Sequence, residues 1–313
     1  MTNFPAYQSG IVAPASSDAL FITLKRKQFE MQSKRAELLQ SIAKIQDVLA
    51  QCRERFSDAQ LHLTVGLSSQ LWDFLEFPEK PAQLQPFQAI SNKKVRMPAT
   101  DSDLLLHIRS QRHDVNYHIA QIVYQMLSPF FLLDELVRGF QYLDSRDLTG
   151  FVDGTENPEG ENRKQVALVS DDAAFNGGSY IHLQKYLHNL ALWNSYSLKE
   201  QEDSYGRTKD ENVEYSSADK SDSAHTKRSS IKDDAGNSIE ILRHSLPFGE
   251  LENSGLMFAS YSANSTHFDL MLQSMCEINE DNETDHILRV TNAVTGQAFF
   301  APNIDWFATI VKE

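Results

Sequence analysis

The sequence predicts an α+β fold in two related halves, with helices packed on antiparallel sheets, and three observations carry that reading. Stretches with the two-residue alternation of a strand give way to stretches with helical spacing of apolar residues; strands follow one another between helices; and the same succession occurs twice along the 313 residues. In the first half, Ala19 to Leu24 alternates like a strand, and Phe29, Leu39, Ile42, Ile45, Leu49 and Cys52 then recur at helical spacing. Leu61, Leu63, Val65 and Leu67 give a second strand one apolar face, and the leucine run within Asp103 to Ile108 marks a third, buried on both faces. Val115, Ile119, Ile122, Val123 and Met126 form the stripe of a helix over Asp114 to Leu127.

The second half opens with a Gly/Asp/Asn-rich turn, Leu148 to Glu161. It continues with a strand over Gly178 to Gln184, helical spacing over Leu187 to Leu198, strands over Ser238 to Arg243 and Gly255 to Ser262, and a helix over His267 to Ile278. The polar, charge-rich stretch from Glu200 to Asn237 reads by composition as a solvated loop. The expected units are therefore residues 1–145 and 146–313, a duplication visible in element order rather than in sequence.

Composition narrows the function classes. A hydrophobic content of 41% supports real cores, whereas 43 acidic against 29 basic residues, a net charge of −14, disfavours a phosphate-tracking surface and hence nucleic acid. Cys52 and Cys276 form no CxxC pair, which argues against a cysteine-held metal cluster and for free thiols in a reducing compartment. The N-terminus lacks the basic start and apolar run of a secretory signal, and no stretch approaches the roughly 18 apolar residues of a membrane span, so a cytoplasmic location is expected.

Three features carry chemistry. In GFVDGTENPEG, Gly150 to Gly160, glycines flank Asp153 and let the main chain approach a flat ligand; taken alone, it is equally an ordinary acidic turn. His225, in DSAHTKRSS, is either an iron or haem ligand or an exposed loop histidine. Arg243, at the end of a strand in EILRHSLPFGE, faces either an anionic partner in a cavity or a surface carboxylate. His107, His113, His118, His182 and His188 show no ligand spacing and read as structural or exposed.

In order and spacing these segments resemble the dye-decolorising peroxidases, specifically their compact bacterial branch. GFVDG matches that family's GxxDG signature, and the likeness runs through TENP, GSYIHLQKYLHNL (178–190), GRTK (206–209), SAHTKRSS, EILRHSLPFGE, LMFASYS (256–262) and AVTGQAFFAPN (293–303), with DLLLHIRSQRHD (103–114) in the first half. The resemblance implies two ferredoxin-like halves in a barrel-like α+β arrangement and one haem b per chain, held mostly by the second half. It places His225 as the proximal iron ligand, Asp285 as the carboxylate behind it, Asp153 as the distal acid and Arg243 as the distal arginine. Arg207 is then a partner for a haem propionate, and Gly154, Thr155, Ser245 and Phe258 fall around the cofactor. Many relatives carry asparagine where this chain has Ser245, and a hydroxyl, being shorter, leaves room for a water.

The implied reaction is oxidation of phenolic or dye-like substrates by hydrogen peroxide through a ferryl intermediate. A carboxylate behind the proximal imidazole makes it more electron-donating, Asp153 can take and return peroxide protons, and the fixed charge of Arg243 favours bound hydroperoxide. The resemblance also implies a homo-oligomer. Other classes are a haem carrier, an enzyme that releases iron from haem, and chlorite dismutase-like chemistry. A carrier would not need Asp153 and Arg243 together, and the chlorite dismutase family lacks the GxxDG turn.

Overall fold

A computed structural model describes residues 4, 6–27 and 31–311, the side chains of 31–33 excepted. Phe29, assigned above to the first helix, lies outside the described residues. The first half contains β1 (Asp18–Arg26), α1 (Met31–Arg55), β2 (His62–Leu67), α2 (Ser69–Phe74), the short pair β3 (Ile90–Ser91) and β4 (Arg96–Met97), β5 (Leu104–Ser110), α3 (His113–Leu127) and β6 (Phe131–Phe140). The second contains α4 (Asn162–Ala167), β7 (Ser179–His188), α5 (Leu190–Ser195), α6 (Leu198–Tyr205), α7 (His225–Ser229), β8 (Leu242–Arg243), β9 (Leu246–Gly249), β10 (Ser254–Ser262), α8 (Thr266–Cys276), β11 (Thr291–Ala293), β12 (Gln297–Ala301) and α9 (Ile304–Thr309).

Each half is ferredoxin-like. In the first, the antiparallel order is β6-β1-β5-β2; in the second, β12-β7-β10-β9, with β8 and β11 as short edge pieces. The two sheets meet at both ends, through Phe300 opposite Leu67 and Gly139 opposite Phe248, so the strands close into one barrel. Strand alternation then sorts the side chains. Leu104, Leu106 and Ile108 of β5 face α1 and α3, while Leu105 joins Phe21, Ile181, Leu183, Leu242, Tyr261 and Phe299 in a second cluster.

Three expectations need correction. The helix expected over Leu187 to Leu198 is two short helices, because β7 continues through His188 to pair with Thr291 and because Asn189 and Ser197 each cap a fresh start. The strand expected over Ser238 to Arg243 is reduced to Leu242–Arg243, the preceding residues being spent on a cavity wall. Residues 200–237 are ordered in part by α6, whose Ser197 and Glu200 form a reciprocal capping box, and by α7. Their polar side chains bond to one another: Lys209 to the Gln201 carbonyl at 2.7 Å, Tyr215 to Glu202 at 3.2 Å, Lys220 to Glu214. Composition scores those groups as solvated, but the fold pairs them.

Candidate active site

A cavity of about 380 Å³ lies in the second half between β10, α8 and the 200–241 segment, within the size range of small-ligand pockets. Apolar side chains, among them Phe151, Leu256, Phe258, Phe268, Met271 and Leu288, supply much of its wall. Three polar groups singled out by sequence, Asp153, His225 and Arg243, all reach it, although they are far apart in the chain. Phe258 lines it too and packs against Phe268 with ring centroids 5.5 Å apart.

His225 is the first residue of α7 and is held from behind. Its Nδ1 lies 2.7 Å from Oδ2 of Asp285, a residue with no exposed surface. The other carboxylate oxygen of Asp285 accepts from the Ile287 amide at 3.0 Å, capping the 3₁₀ turn His286–Arg289. Burial alone would lower the His225 pKa; the charge and hydrogen bond of Asp285 outweigh it, and the net shift is upward. Fixing Nδ1 in this way aims Nε2 at the cavity, and Tyr205 braces the ring edge-on at 5.8 Å between centroids.

Asp153 sits in the turn that the glycines make possible. Gly154 has φ +80°, a left-handed conformation that a side chain would strain, and the Asp153 amide donates to the Ser145 carbonyl at 2.9 Å. Burial pushes the Asp153 carboxyl above its ordinary range, partly opposed by the Arg243 charge. Arg243 is positioned by the same turn: Asn157 donates to the Arg243 carbonyl and accepts from its amide, both at 2.9 Å. Asp153 and Arg243 also line a second, polar chamber of about 390 Å³, with Gly154, Arg109, Arg163, His244 and Ser245 among its other walls. They thus form the partition between an apolar cavity and a polar one.

The remaining predicted residues lie around this centre. Ser245 faces the polar chamber, and its hydroxyl accepts from the Ala259 amide at 3.2 Å. Arg207 is buried and reaches Glu156 and Glu214 at 3.6 and 3.7 Å, beside the cavity wall that Glu156 forms. Thr155 is exposed, its hydroxyl accepting from Asn212 at 2.9 Å. Sequence reasoning passed over Asn157 and Asp147, and it read His188 as structural or exposed. Asp147 and His188 both line the cavity, 3.2 Å apart, with His188 also bonded to Thr291 at 2.7 Å. The TENP segment held the only signal for Asn157, and nothing in spacing could pair residue 147 with residue 188.

The family descriptions "Dyp-type peroxidase, N-terminal" and "Dyp-type peroxidase, C-terminal" match residues 8–141 and 144–306. A dye-decolorizing peroxidase of Mycolicibacterium paratuberculosis is 36% identical over 306 residues, covering 96% of this chain and 85% of the relative. A dyp-type peroxidase protein from Shewanella oneidensis superposes with a TM-score of 0.93 at 40% identity, covering 98% of this chain and 99% of the other. A Rhodococcus jostii DypB variant solved in complex with heme superposes with a TM-score of 0.91 at 35% identity, covering 97% and 98%. With both halves matched and the barrel reproduced, the chain belongs to the Dyp-type peroxidase family.

Proposed function

We propose that the chain binds one haem b in the apolar cavity and uses hydrogen peroxide to oxidise small aromatic reductants. The observation that carries this reading is the pairing of a carboxylate-held imidazole with an acid and an arginine around one cavity. The residues fit the cofactor. Among the described residues no group of three or more His, Cys, Asp and Glu side chains could hold a bare metal ion, so iron at His225 requires a macrocycle to supply its other ligands, and an apolar-walled cavity suits that macrocycle. When bound, haem supplies the iron on which the peroxide bond is cleaved and from which electrons are drawn.

The chain's own residues do the rest. His225 offers Nε2 to the iron while Asp285 fixes the tautomer and makes the ring more basic. Asp153, ionised, accepts the peroxide proton and returns it to the departing oxygen. Arg243 stays cationic, favours the hydroperoxide anion and offsets the charge that develops as the bond breaks. The polar chamber beyond Asp153 and Arg243 gives peroxide and water a hydrophilic approach, while Ser245 lines that approach rather than the cofactor face. Gly154 and Thr155 set the turn that carries Asp153, and Arg207, which faces Glu156 and Glu214, would meet a haem propionate only by exchanging one of those carboxylates for it.

The same reading extends to the whole molecule. The unit boundary falls at residues 145/146, where the chain leaves the β6 sheet for the Asp153 turn. Cys52 and Cys276 are free and buried, in keeping with a reducing, cytoplasmic compartment. No helix among the described residues is long and apolar enough to cross a membrane. Leu132, Leu133 and Leu136 of β6 are 46–55% exposed, an apolar strip suited to self-association in a homo-oligomer.

An absorption spectrum of haem-loaded protein before and after equimolar hydrogen peroxide tests the proposal. A Soret band that changes with peroxide and returns with a phenol supports it. His225→Ala should lose most haem, and Arg243→Ala should keep haem and lose the peroxide response. A bound haem that ignores peroxide points to a carrier or to iron release, and normal haem binding by His225→Ala overturns the ligand assignment.

A further inference from the structure

Most of the cluster inside the barrel is apolar, yet β5 sends His107 and Arg109 inward and β10 sends Tyr261 to meet them. Tyr261 has no exposed surface, and His107 and Arg109 keep 1% and 2%. The Tyr261 hydroxyl lies 2.7 Å from Nδ1 of His107, whose ring stacks on Phe21 with centroids 4.4 Å apart. The other ring nitrogen, Nε2, is buried without a hydrogen-bond partner. Arg109 is occupied elsewhere, donating to the carbonyls of Gly10, Ala13 and Pro14 at 2.6 to 3.0 Å, with His244 Nε2 at 3.2 Å.

Both partners are neutral at ordinary pH. Burial first, then the Arg109 charge, holds the His107 imidazole well below its usual range, and burial keeps the Tyr261 phenol above its own. As a hydrogen bond alone the pair adds little to stability. Its chemical meaning is different: a phenol that loses an electron becomes a strong acid, and a neutral imidazole at hydrogen-bond distance is the base that can take the proton without solvent.

We propose that Tyr261 and His107 form a redox pair that stores one oxidising equivalent of the peroxidase cycle inside the barrel. The proposal rests on the peroxidase reading above, which supplies the oxidant. In the charging step, one electron leaves the Tyr261 ring for the oxidised cofactor. The phenolic proton moves to Nδ1 of His107, giving a neutral tyrosyl radical beside an imidazolium. In the discharging step, one electron from the aromatic reductant returns to Tyr261, and His107 gives the proton back.

The placement favours Tyr261 over the other tyrosines. Leu256 and Phe258 of its own strand line the haem cavity, Ser260 is registered with Arg243, and Tyr261 lies on the opposite face, one layer of backbone away. The His244 ring is 5.3 Å from Tyr261 and lines the polar chamber that Asp153 and Arg243 share. The other tyrosine hydroxyls near the haem cavity and the core meet no imidazole directly. Tyr186 donates to the amide oxygen of Gln184, Tyr205 meets the Thr149 hydroxyl, and Tyr180 accepts from the Gln83 amide. Oxidation of Tyr186 or Tyr180 would leave its proton stranded, and a proton from Tyr205 would reach a base only through Thr149, whose hydroxyl donates to Asp147 at 2.6 Å.

Freeze-quenched electron paramagnetic resonance of haem-loaded protein mixed with equimolar hydrogen peroxide tests the pair, with the Soret band recorded on the same samples. The expected result is a tyrosyl signal in the parent protein that is lost in Tyr261→Phe while the Soret response to peroxide is retained. In His107→Gln the signal should fall, and its g-values at high field should shift because the radical oxygen has lost a cationic hydrogen-bond donor. An unchanged tyrosyl signal in Tyr261→Phe overturns the proposal, as does a parent protein whose Soret band responds to peroxide without any tyrosyl signal. A parent Soret band that does not respond overturns the peroxidase reading itself, and this inference with it.

Discussion

Asp285 divides its two oxygens between structure and chemistry, one capping the Ile287 amide and the other holding His225. Asp285→Asn can keep the cap, but the amide then presents N–H to an imidazole N–H, so the hydrogen bond behind the ring is lost. Haem affinity should fall by about 10- to 100-fold, the range for such supporting groups, and the midpoint potential of bound haem should rise because the ring donates less. Haem titration and a redox titration measure the two effects. Asp153 sets a different balance. Its folded-state pKa is raised, so ionisation of this group opposes folding. That penalty is fully present above the folded pKa and vanishes as pH falls below the unfolded value of about 3.9. Asp153→Asn should therefore melt at a higher temperature than the parent at neutral pH, and the gap should close in acid. A gap that widens in acid contradicts the burial argument.

Elements explain why some of this could be read in advance. Strands β1 and β2 and helix α3 were legible because apolar residues recur at each element's own period, and β5 because its leucine run is buried on both faces. Strand β6 was not, because five of the ten residues of FLLDELVRGF are exposed and its charges are paired across the barrel surface, such as Glu135 with Lys185 at 2.5 Å. The resemblance put His225, Asp153 and Arg243 around one ligand, and the structure brings all three to one cavity, whereas the turn-to-strand link through Asn157 belongs to tertiary structure alone. That link has its own test. Asn157→Ala removes two bonds to the Arg243 backbone, and at about 0.5–1.5 kcal/mol each should cost about 1–3 kcal/mol in denaturant unfolding. Haem content should be unchanged and the peroxide response slowed, because β8 carries Arg243 for only two residues and has little else to fix it.

At the scale of the whole molecule, the barrel makes the half that carries the apolar cavity depend on the other. Each half supplies part of one ring, and each seam rests on a single registered pair, Leu67 with Phe300 and Gly139 with Phe248. Gly139 is a seam residue for a steric reason. A Cβ there would lie 2.7 Å from Cβ of Leu246 and 3.0 Å from the Phe21 ring, neither of which is the free end of a flexible chain. Gly139→Ala must therefore push β9 from β6, at a cost of about 1–3 kcal/mol for overpacking. If closure couples the halves into one cooperative unit, the lost stability should appear at sites remote from the substitution. Amide hydrogen exchange should then quicken by the same free energy in the protected cores of β5 and β7, which belong to different halves. Faster exchange confined to β6 and β9 would show instead that the seam opens locally and that the halves hold their stability separately.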